Sequence, residues 1–413
     1  MESICNSLDC SGCSACANIC PVDAIKIEEN DFYEMHPVID NNKCINCQKC
    51  KKVCPQNNQP QFHEPKKVYV AWRKDKKSIL DSASGGVAAY LSEYVIKNGG
   101  AVVGTEYDLN LRAVLTIKHT LTEIEKLKGS KYCYSNPQKI YKAVLSLLSQ
   151  GKIVVFFGLP CQIAALENFL TINNMSKEQI IMVEILCHGV APQGFFLDEI
   201  NDIKHKNSIS DITNVTFRSN RYLKNYALCF YQNEKIVKYI NAAESPYFYG
   251  FSNNILLQES CFHCKFKSHK RIGDILIGDF LGLEMNFDNP YDAMCGKSLI
   301  ISYTEKGQLL LSHILENGFD DICSFERTID EAVRGGPSLR SVAKKHSCRE
   351  EFRGLLKKEG YISARNQVVI PLLNNGRIKC ILRKVKYLIK MFLSKFGIYE
   401  HNRHFFFNKD RLG

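Results

Sequence analysis

The sequence predicts an α+β multidomain chain with a small cysteine-rich domain, an α/β body with a largely parallel or mixed sheet, and a C-terminal amphipathic helix. Three observations predict this fold class. A twelve-residue cysteine pattern occurs twice before residue 60, apolar strands alternate with helices in the body, and a helical apolar face extends through the basic C-terminal segment. The expected domain boundaries are 1–60, 66–150, 151–365 and 366–413, with a linker that ends at Pro65.

The repeated pattern, C-x2-C-x2-C-x3-C-P, begins at Cys10 and again at Cys44. Three thiolates at this spacing bind one face of a 4Fe-4S cluster, and the fourth, next to proline, ligates the other cluster. The alternative is a pair of zinc knuckles, which usually have a longer gap between their C-x2-C pairs. The predicted ligand sets are Cys10, Cys13, Cys16 and Cys54 for one cluster, and Cys44, Cys47, Cys50 and Cys20 for the other.

The cysteine-rich region also predicts two short strands, AIKIEE and HPVID, in a βαββαβ-like unit. With its two cysteine motifs, this region resembles a bacterial two-cluster ferredoxin over about the first 60 residues. Cys5 stands outside the motif and is interpreted as a spare thiol.

Composition and charge restrict the class of protein. The 413 residues include 19 cysteines and carry a formal net charge of +11. The N-terminus has no signal-peptide pattern, so we expect a cytoplasmic protein, in which dense cysteines bind metal more often than they form disulfides. Residues 377–413 contain ten Lys/Arg and two Asp/Glu, a balance of +8 that leaves +3 for the rest of the chain. The body therefore lacks the basic excess of a nucleic-acid-binding surface.

Three body segments, KIVVFFGLPCQ, IIMVEILCHG and GDILIGDF, each predict an apolar strand that ends in polar or reactive residues. Ligands of parallel α/β sheets bind beyond the carboxyl ends of the strands. We therefore expect Cys161, Cys187, His188 and Asp279 at one edge of the sheet, although for any single one of them an ordinary buried structural role is the commoner case.

The segment SASGGVAAYLSEYVIKNGG predicts an amphipathic helix, because apolar residues recur at helical spacing from Val87 to Val95. Ser82 or Ser84 is the expected cap. Gly85 and Gly86 would leave backbone N–H groups free at the helix start, which favours a phosphate site. The alternative is a helix start with no ligand.

The pair C-x2-C at Cys261 and Cys264 is half of a metal site. Together with Cys161 and Cys187 it would supply four thiolates, enough for a third 4Fe-4S cluster. The alternatives are zinc, a redox dithiol, or cysteines that merely line another pocket.

The ordered motifs SASGG, GSKYCYS, GLPCQ, CHG, CFHC and GDILIGDF, behind a two-cluster ferredoxin pattern, resemble the beta subunit family of deazaflavin-coenzyme-reducing hydrogenases and dehydrogenases. The resemblance spans about residues 1 to 340. It implies a flavin, FAD in particular, bound by the body, and a third cluster at the four body cysteines. Cys133 stands where the family often has an aliphatic residue. The cofactor-binding residues expected on this basis are Ser84, Gly85, Gly86, Ser130, Lys131 and Asp279.

The predicted function is an iron–sulfur flavoprotein oxidoreductase that passes electrons from a low-potential donor through 4Fe-4S clusters to a flavin and on to an organic substrate, or in reverse. Lys131 would stabilise negative charge on the reduced flavin, and His188 would exchange the accompanying proton. The alternatives are a non-catalytic electron-transfer subunit and an iron–sulfur sensor that binds nucleic acid. The family resemblance further suggests a substrate linked to surface polysaccharide metabolism.

Apolar residues between 377 and 398 follow one helical face for five turns, with Lys and Arg on the rest of the helix. A basic amphipathic helix of this kind binds anionic membrane interfaces, which would place the protein at the inner face of the membrane. The alternative is a helix packed on the body with a solvated basic face.

Overall fold

The computed structural model describes residues 3–80, 82–218, 226–283, 296–317 and 321–378. The strands are β1 (Ile25–Glu29), β2 (Met35–Ile39), β3 (Lys67–Arg73), β4 (Ala101–Tyr107), β5 (Ala113–Lys118), β6 (Val154–Gly158), β7 (Ile180–Ile185), β8 (Asn214–Arg218), β9 (Tyr226–Gln232), β10 (Lys235–Asn241), β11 (Ile275–Asp279), β12 (Ser298–Ser302) and β13 (Ile322–Arg327).

Helices connect most of these strands. They are α1 (Ala15–Ile19), α2 (Lys49–Val53), α3 (Lys76–Leu80), α4 (Val87–Lys97), α5 (Leu121–Ile124), α6 (Ile140–Ser149), α7 (Pro160–Ile172), α8 (Gln193–Lys206), α9 (Pro246–Ser252), α10 (Glu305–Asn317), α11 (Ile329–Gly335), α12 (Arg349–Glu359) and α13 (Tyr361–Ala364).

The body is built on an eight-stranded mixed sheet with the order β13-β3-β12-β11-β7-β6-β4-β5. Its centre, β4, β6, β7 and β11, is parallel, and the flanking strands pair antiparallel. All five residues of β6 are buried, as expected for a parallel strand covered on both faces. A separate antiparallel sheet contains β8, β9 and β10. The predicted largely parallel or mixed sheet is therefore confirmed.

The cysteine-rich region folds as α1, β1, β2 and α2, with the two predicted strands paired antiparallel. This region packs directly on the body. Ile19 and Val53 belong to the same buried cluster as Phe156 of β6 and Leu166 of α7. The predicted linker before Pro65 is held by contacts as well, because Asn168 Nδ2 donates to the carbonyl of Asn58 at 2.7 Å.

Helix α4 has the predicted extent, but the predicted serine cap is wrong. Its N-cap is Gly86, at φ +80°, with no side-chain cap bond. Ser82 Oγ donates to the carbonyl of Ser78 at 2.6 Å, and Ser84 Oγ donates to the carbonyl of Lys297 at 3.0 Å. The helix start is thus shaped by a left-handed glycine, while both serines bond elsewhere.

The predicted membrane-binding helix at 377–398 lies almost entirely outside the described residues, which end at 378. The helical segment that precedes it packs on the body, since Val368, Val369 and Leu373 are buried. Among the helices that the structure describes, none combines the length and the apolar character needed to cross a bilayer.

Candidate redox site

Two cavities in the cysteine-rich region are lined by the two predicted ligand sets. One is lined by Cys20, Cys44, Cys47 and Cys50, and we call it the outer cavity. The other is lined by Cys10, Cys13, Cys16 and Cys54, and we call it the inner cavity. Each set therefore takes three cysteines from one motif and the fourth from the other, in the pattern of a two-cluster ferredoxin.

The backbone of the two motifs is alike at equivalent positions. Gly12 and Asn46, two residues after the first cysteine of each motif, have positive φ angles of 70° and 54°. Ser14 and Gln48 both have φ 61° and begin α1 and α2. These left-handed residues turn the chain so that three successive cysteines face one cavity.

The residues of the two cavities fit 4Fe-4S groups. Each cavity is lined by four cysteines, and the C-x2-C-x2-C-x3-C-P spacing is the one that supplies three ligands to one cluster and the fourth to the other. Within the described part of the chain, no group of three or more His, Cys, Asp or Glu side chains is arranged around a single metal position.

Cys5, which the sequence analysis interpreted as a spare thiol, also lines the inner cavity. It hydrogen-bonds the thiols of Cys10 and Cys54, which lowers the pKa of Cys10 to about 5 and that of Cys54 to about 7. His36 reinforces the effect at Cys10 through a second hydrogen bond. No spacing rule could have identified Cys5, because its position depends on how the N-terminal segment folds back.

Four body cysteines are brought together as predicted from their positions in the sequence. Cys161 lies in the first turn of α7, Cys187 follows β7, and Cys261 and Cys264 lie at the loop beside them. The thiol of Cys161 is within electrostatic reach of the other three. We call these four residues the body cysteine set.

A buried ion pair holds the loop of Cys261 and Cys264 against β7. Arg271 Nη1 lies 3.5 Å from Glu184 Oε2, and both side chains are almost fully buried. Glu184 Oε1 also accepts hydrogen bonds from the backbone N–H groups of Ile272 and Gly273, at 3.0 and 2.9 Å. Arg271 Nη1 donates to the carbonyl of Phe266 at 2.8 Å, which closes the loop.

The thiols of the body cysteine set are buried, and burial dominates their protonation. It raises the pKa of Cys187 to about 11 and raises the pKa values of Cys161, Cys261 and Cys264. Lys267 lowers the pKa of Cys187, as expected of a basic loop, but less than burial raises it. The charge of Lys267 therefore offsets only part of the effect of burial on the Cys187 thiol. A coordinated metal deprotonates such thiols outright.

Tyr134 lies between the inner cavity and the body cysteine set. Its side chain is 1% exposed, and its hydroxyl donates to the carbonyl of Gly12 at 2.6 Å. The thiols of Cys10, Cys13 and Cys161 are all within electrostatic reach of its hydroxyl. The first ferredoxin motif and the body cysteines therefore face each other across one buried aromatic ring.

The segment before α4 lies near Asp279, because Arg218 binds both Ala83 and Asp279, but the polar groups of Ser84 and Gly85 are engaged within the protein. The N–H of Gly85 is not free, because it donates to Ser298 Oγ at 3.1 Å. A Cβ at Gly85 would lie 2.4 Å from the carbonyl oxygen of Ala71. Gly85 therefore allows the segment before α4 to pack closely against β3 and β12. Gly86 is buried at the start of α4.

Asp279, at the end of β11, forms a two-pronged ion pair with Arg218, which sequence reasoning missed. Arg218 Nη1 and Nη2 donate to Asp279 Oδ1 and Oδ2 at 3.1 and 2.5 Å, and Nη1 also donates to the carbonyl of Ala83. The guanidinium stacks 4.2 Å from the ring centroid of Tyr226. Arg218 ends a strand of the separate sheet, so no motif indicated that it would reach this edge.

Lys131 is half-buried, and its amine donates to the carbonyls of Lys126, Leu127 and Lys128 at 3.0–3.2 Å. Burial lowers its pKa to about 8. Ser130 precedes it in a half-buried loop. The Lys131 amine thus has a local role, because it binds the carbonyls of the preceding turn and stabilises that turn.

His188 lies beside the body cysteine set. Its carbonyl accepts from Lys267 Nζ at 2.9 Å, and its ring contacts Phe251 at a centroid distance of 5.4 Å. Burial lowers the pKa of His188, followed by the charge of Lys267. Hydrogen bonds of the ring with the Asn254 side chain and the Phe251 backbone raise the pKa in part, while the buried Nε2 atom has no partner of good geometry among the described residues.

Comparison with known proteins agrees with this arrangement. Residues 151–327 match the C terminus of the coenzyme F420 hydrogenase/dehydrogenase beta subunit, and residues 9–58 match a 4Fe-4S dicluster domain. A second 4Fe-4S dicluster model matches residues 36–86. The first of these ranges contains the whole body cysteine set, His188 and Asp279.

Individual relatives cover parts of the chain. An uncharacterized protein of Methanocaldococcus jannaschii is 25% identical over 205 residues, covering 42% of this chain and 56% of the relative. A polyferredoxin-like protein of the same organism is 39% identical over 54 residues, covering 11% of this chain and 32% of the relative. The chain thus spans less than two thirds of either relative.

Among solved structures, a chain of the F420-reducing [NiFe] hydrogenase complex from Methanosarcina barkeri is similar with a TM-score of 0.44 and 16% identity. The similarity covers 74% of this chain and 92% of that chain.

The cysteine cavities and the dicluster match define the N-terminal region as an iron–sulfur electron-transfer domain of the two-cluster 4Fe-4S type. The chain carries this domain in front of a body in which residues 151–327 match the C terminus of the coenzyme F420 hydrogenase/dehydrogenase beta subunit, the family that its motifs resemble.

Proposed function

We propose that the chain is an iron–sulfur flavoprotein oxidoreductase that passes electrons between a low-potential protein and an organic substrate. One observation carries the proposal. The outer cavity, the inner cavity and the body cysteine set follow one another from the surface towards the carboxyl edge of the parallel strands, with Tyr134 between the last two. This succession suits the stepwise movement of single electrons.

The body cysteine set is proposed to hold a third 4Fe-4S cluster. Four thiols converge there, from two strand ends and one loop, and the buried Glu184–Arg271 pair fixes the loop. A zinc ion held by the same four thiolates is the alternative. A redox dithiol at Cys261 and Cys264 would leave Cys161 and Cys187 without a role.

A flavin is proposed to bind beyond the strand ends of the body, where ligands of α/β sheets are found. When bound there, a flavin accepts single electrons and delivers pairs. Two buried polar atoms near this edge, His188 Nε2 and Arg218 Nε, have no hydrogen-bond partner within the described residues and are suited to contact a polar ligand. The groups of Ser84 and Gly85 already bond within the protein, so they contribute mainly to the shape of this edge.

His188 and Arg218 have distinct proposed roles at this edge. The lowered pKa of His188 keeps its imidazole neutral near pH 7, so it can accept a proton at Nε2 when the substrate is oxidised. Arg218, held by Asp279, keeps a fixed positive charge there, which stabilises negative charge on a bound group. Lys131 is proposed to affect the flavin only indirectly, because its amine stabilises the turn that precedes Tyr132.

The test is a count of iron, acid-labile sulfide and extracted flavin in anaerobically prepared full-length protein. We expect about twelve irons and one flavin per chain. The double substitution Cys261→Ala and Cys264→Ala should lose about four irons and leave the ferredoxin signals intact.

The matched control is Cys229→Ala, a buried cysteine of β9 outside all three sets, which should keep the full iron count. A wild-type count of about eight irons would remove the third cluster. If the protein has its full iron content but does not bind flavin, it is an electron-transfer subunit that does not itself react with an organic substrate.

A further inference from the structure

The outer cavity is the redox site that meets solvent. Of the eight cysteines in the two motifs, Cys47 is the one that is exposed. Two apolar side chains that line the same cavity, Val22 and Ile45, are 38% and 61% exposed. Exposed apolar residues beside a redox centre are typical of a protein-docking surface.

The charges around this cavity are positive. Lys43 precedes the first cysteine of the second motif, and Lys49 and Lys52 lie in α2; all three are exposed. Lys43 has a partial partner, Asp40 at 3.7 Å. In the part of the chain that the structure describes, no carboxylate pairs with Lys49 or Lys52.

Asp23, next to Val22 in the sequence, has a basic partner of its own. Its Oδ1 lies 3.4 Å from Lys142 Nζ. We define the outer face by its six residues, Val22, Lys43, Ile45, Cys47, Lys49 and Lys52. Its centre is apolar, its rim is basic, and none of its six residues is acidic.

The inner cavity, by contrast, faces the body. Each cavity has two buried cysteines, but the other two of the inner cavity, Cys10 and Cys13, are half-buried, so that none is exposed as Cys47 is. The carbonyl of Gly12 beside Cys13 accepts from the buried Tyr134. A second protein therefore approaches more closely at the outer cavity than at the inner one. The short distance needed for electron exchange is available at the outer face.

We propose that the outer face docks a small acidic protein that carries one electron at a time. This inference rests on the proposed function, because it requires a 4Fe-4S cluster in the outer cavity. In each encounter the carrier loses one electron and the cluster gains it, or the reverse, and no atom is transferred. The basic rim attracts and orients an acidic partner, while Val22 and Ile45 form the contact centre.

The experiment uses full-length holoprotein and an acidic plant-type [2Fe–2S] ferredoxin as the probe. The binding of the oxidised probe is measured by calorimetry at low and high salt, and the reduction of the chain by the reduced probe is measured by stopped flow. The double substitution Lys49→Glu and Lys52→Glu should weaken binding and slow reduction by about tenfold or more at low salt. The difference should shrink at high salt because exposed charges are then screened.

A matched variant with the same change in net charge, Lys97→Glu and Lys235→Glu, replaces exposed lysines of α4 and β10 and should behave like wild type. If the charge reversal lowers the iron content, the neutral pair Lys49→Gln and Lys52→Gln replaces it and should show a smaller effect of the same sign. The docking proposal is wrong if the wild type, the Lys49→Glu, Lys52→Glu variant and the Lys49→Gln, Lys52→Gln variant all bind the probe equally well.

Reduced methyl viologen, a small cation, separates this proposal from the function on which it rests. It should reduce the wild type and the Lys49→Glu, Lys52→Glu variant at similar rates, because added negative charge does not repel it. If viologen fails to reduce the wild type, the proposed function itself fails. If viologen reduces the wild type but the probe neither binds nor responds to salt, only the docking surface is wrong.

Discussion

Two buried charges, Glu184 and Arg271, hold the loop that completes the body cysteine set. Burial raises the pKa of Glu184, and the charge of Arg271 partly offsets this effect. A buried pair of this kind contributes little net stability compared with an apolar pair, but the loss of one partner leaves a buried charge unpaired.

We therefore expect Arg271→Met to lower the free energy of unfolding by about 3–5 kcal/mol and to reduce the iron bound by the body. The control is Lys66→Met, which breaks the exposed pair with Glu305 and should cost less than about 1 kcal/mol. Urea unfolding followed by circular dichroism measures both. An Arg271→Met protein as stable as the Lys66→Met protein would show that the loop does not depend on this pair.

At the scale of elements, helix α12 links the cysteine-rich region to the loop of Cys261. Arg353 Nη1 donates to Glu34 Oε1 at 3.1 Å, and Arg349 Nη2 donates to Glu259 Oε2 at 3.3 Å. Glu34 Oε1 also accepts from the backbone N–H of Glu259 at 2.8 Å. Helix α12 thus binds Glu34 of the cysteine-rich region through Arg353 and Glu259 of the body through Arg349.

Glu34 should make this contact depend on pH. Burial alone would raise its pKa, but His36 and Arg353 outweigh burial and hold the pKa at about 2. A carboxylate with a lowered pKa in the folded state stabilises the protein above its unfolded pKa of about 4.3, and this contribution is lost as pH falls towards 2.

The substitution Glu34→Gln should lower the free energy of unfolding by about 2–3 kcal/mol at pH 7. The difference between wild type and variant should narrow between about pH 4.5 and pH 2, where the wild-type carboxylate takes up its proton. Thermal unfolding from pH 7 to pH 3, with iron content recorded at each pH, measures this. A difference that stays constant over that range would show that Glu34 is not charged in the folded protein.

At the scale of the whole molecule, the cysteine-rich region and the body share one hydrophobic core. Ile4, Ile19 and Val53 are buried in the same cluster as Tyr141 and Phe156 of the body. The interface is therefore more like the interior of a domain than a contact between mobile neighbours.

Deletion of residues 1–60 should consequently prevent cooperative folding of the body, because it exposes apolar residues of α6, α7 and β6 to water. The control is truncation after residue 378, which leaves every described contact in place and should preserve the thermal transition. Differential scanning calorimetry compares the two proteins. A sharp transition in the protein that lacks residues 1–60 would show that the body folds independently.

Local patterns predicted much of the fold and part of the site. The spacing of the cysteines predicted which four would share each cavity, because a short motif determines which side chains one turn of chain can gather. The apolar runs predicted β6, β7 and β11, and hence the common edge of Cys161, Cys187 and Asp279. The serine cap of α4 was predicted wrongly, since the competing bonds of Ser82 and Ser84 depend partly on a residue more than 200 positions away.

The sequence by itself determined the two cysteine sets, the alternation of strands and helices, and the family that the motifs of the body resemble, because each depends on residues close together in the chain. Only the tertiary structure decided that Cys5 joins the inner cavity, that Arg218 pairs with Asp279, and that Tyr134 lies between two groups of cysteines. These contacts join segments that are far apart in sequence or fold back on themselves. Packing and charge in the folded protein determine which residues meet, and the spacing of residues in the sequence does not predict these contacts.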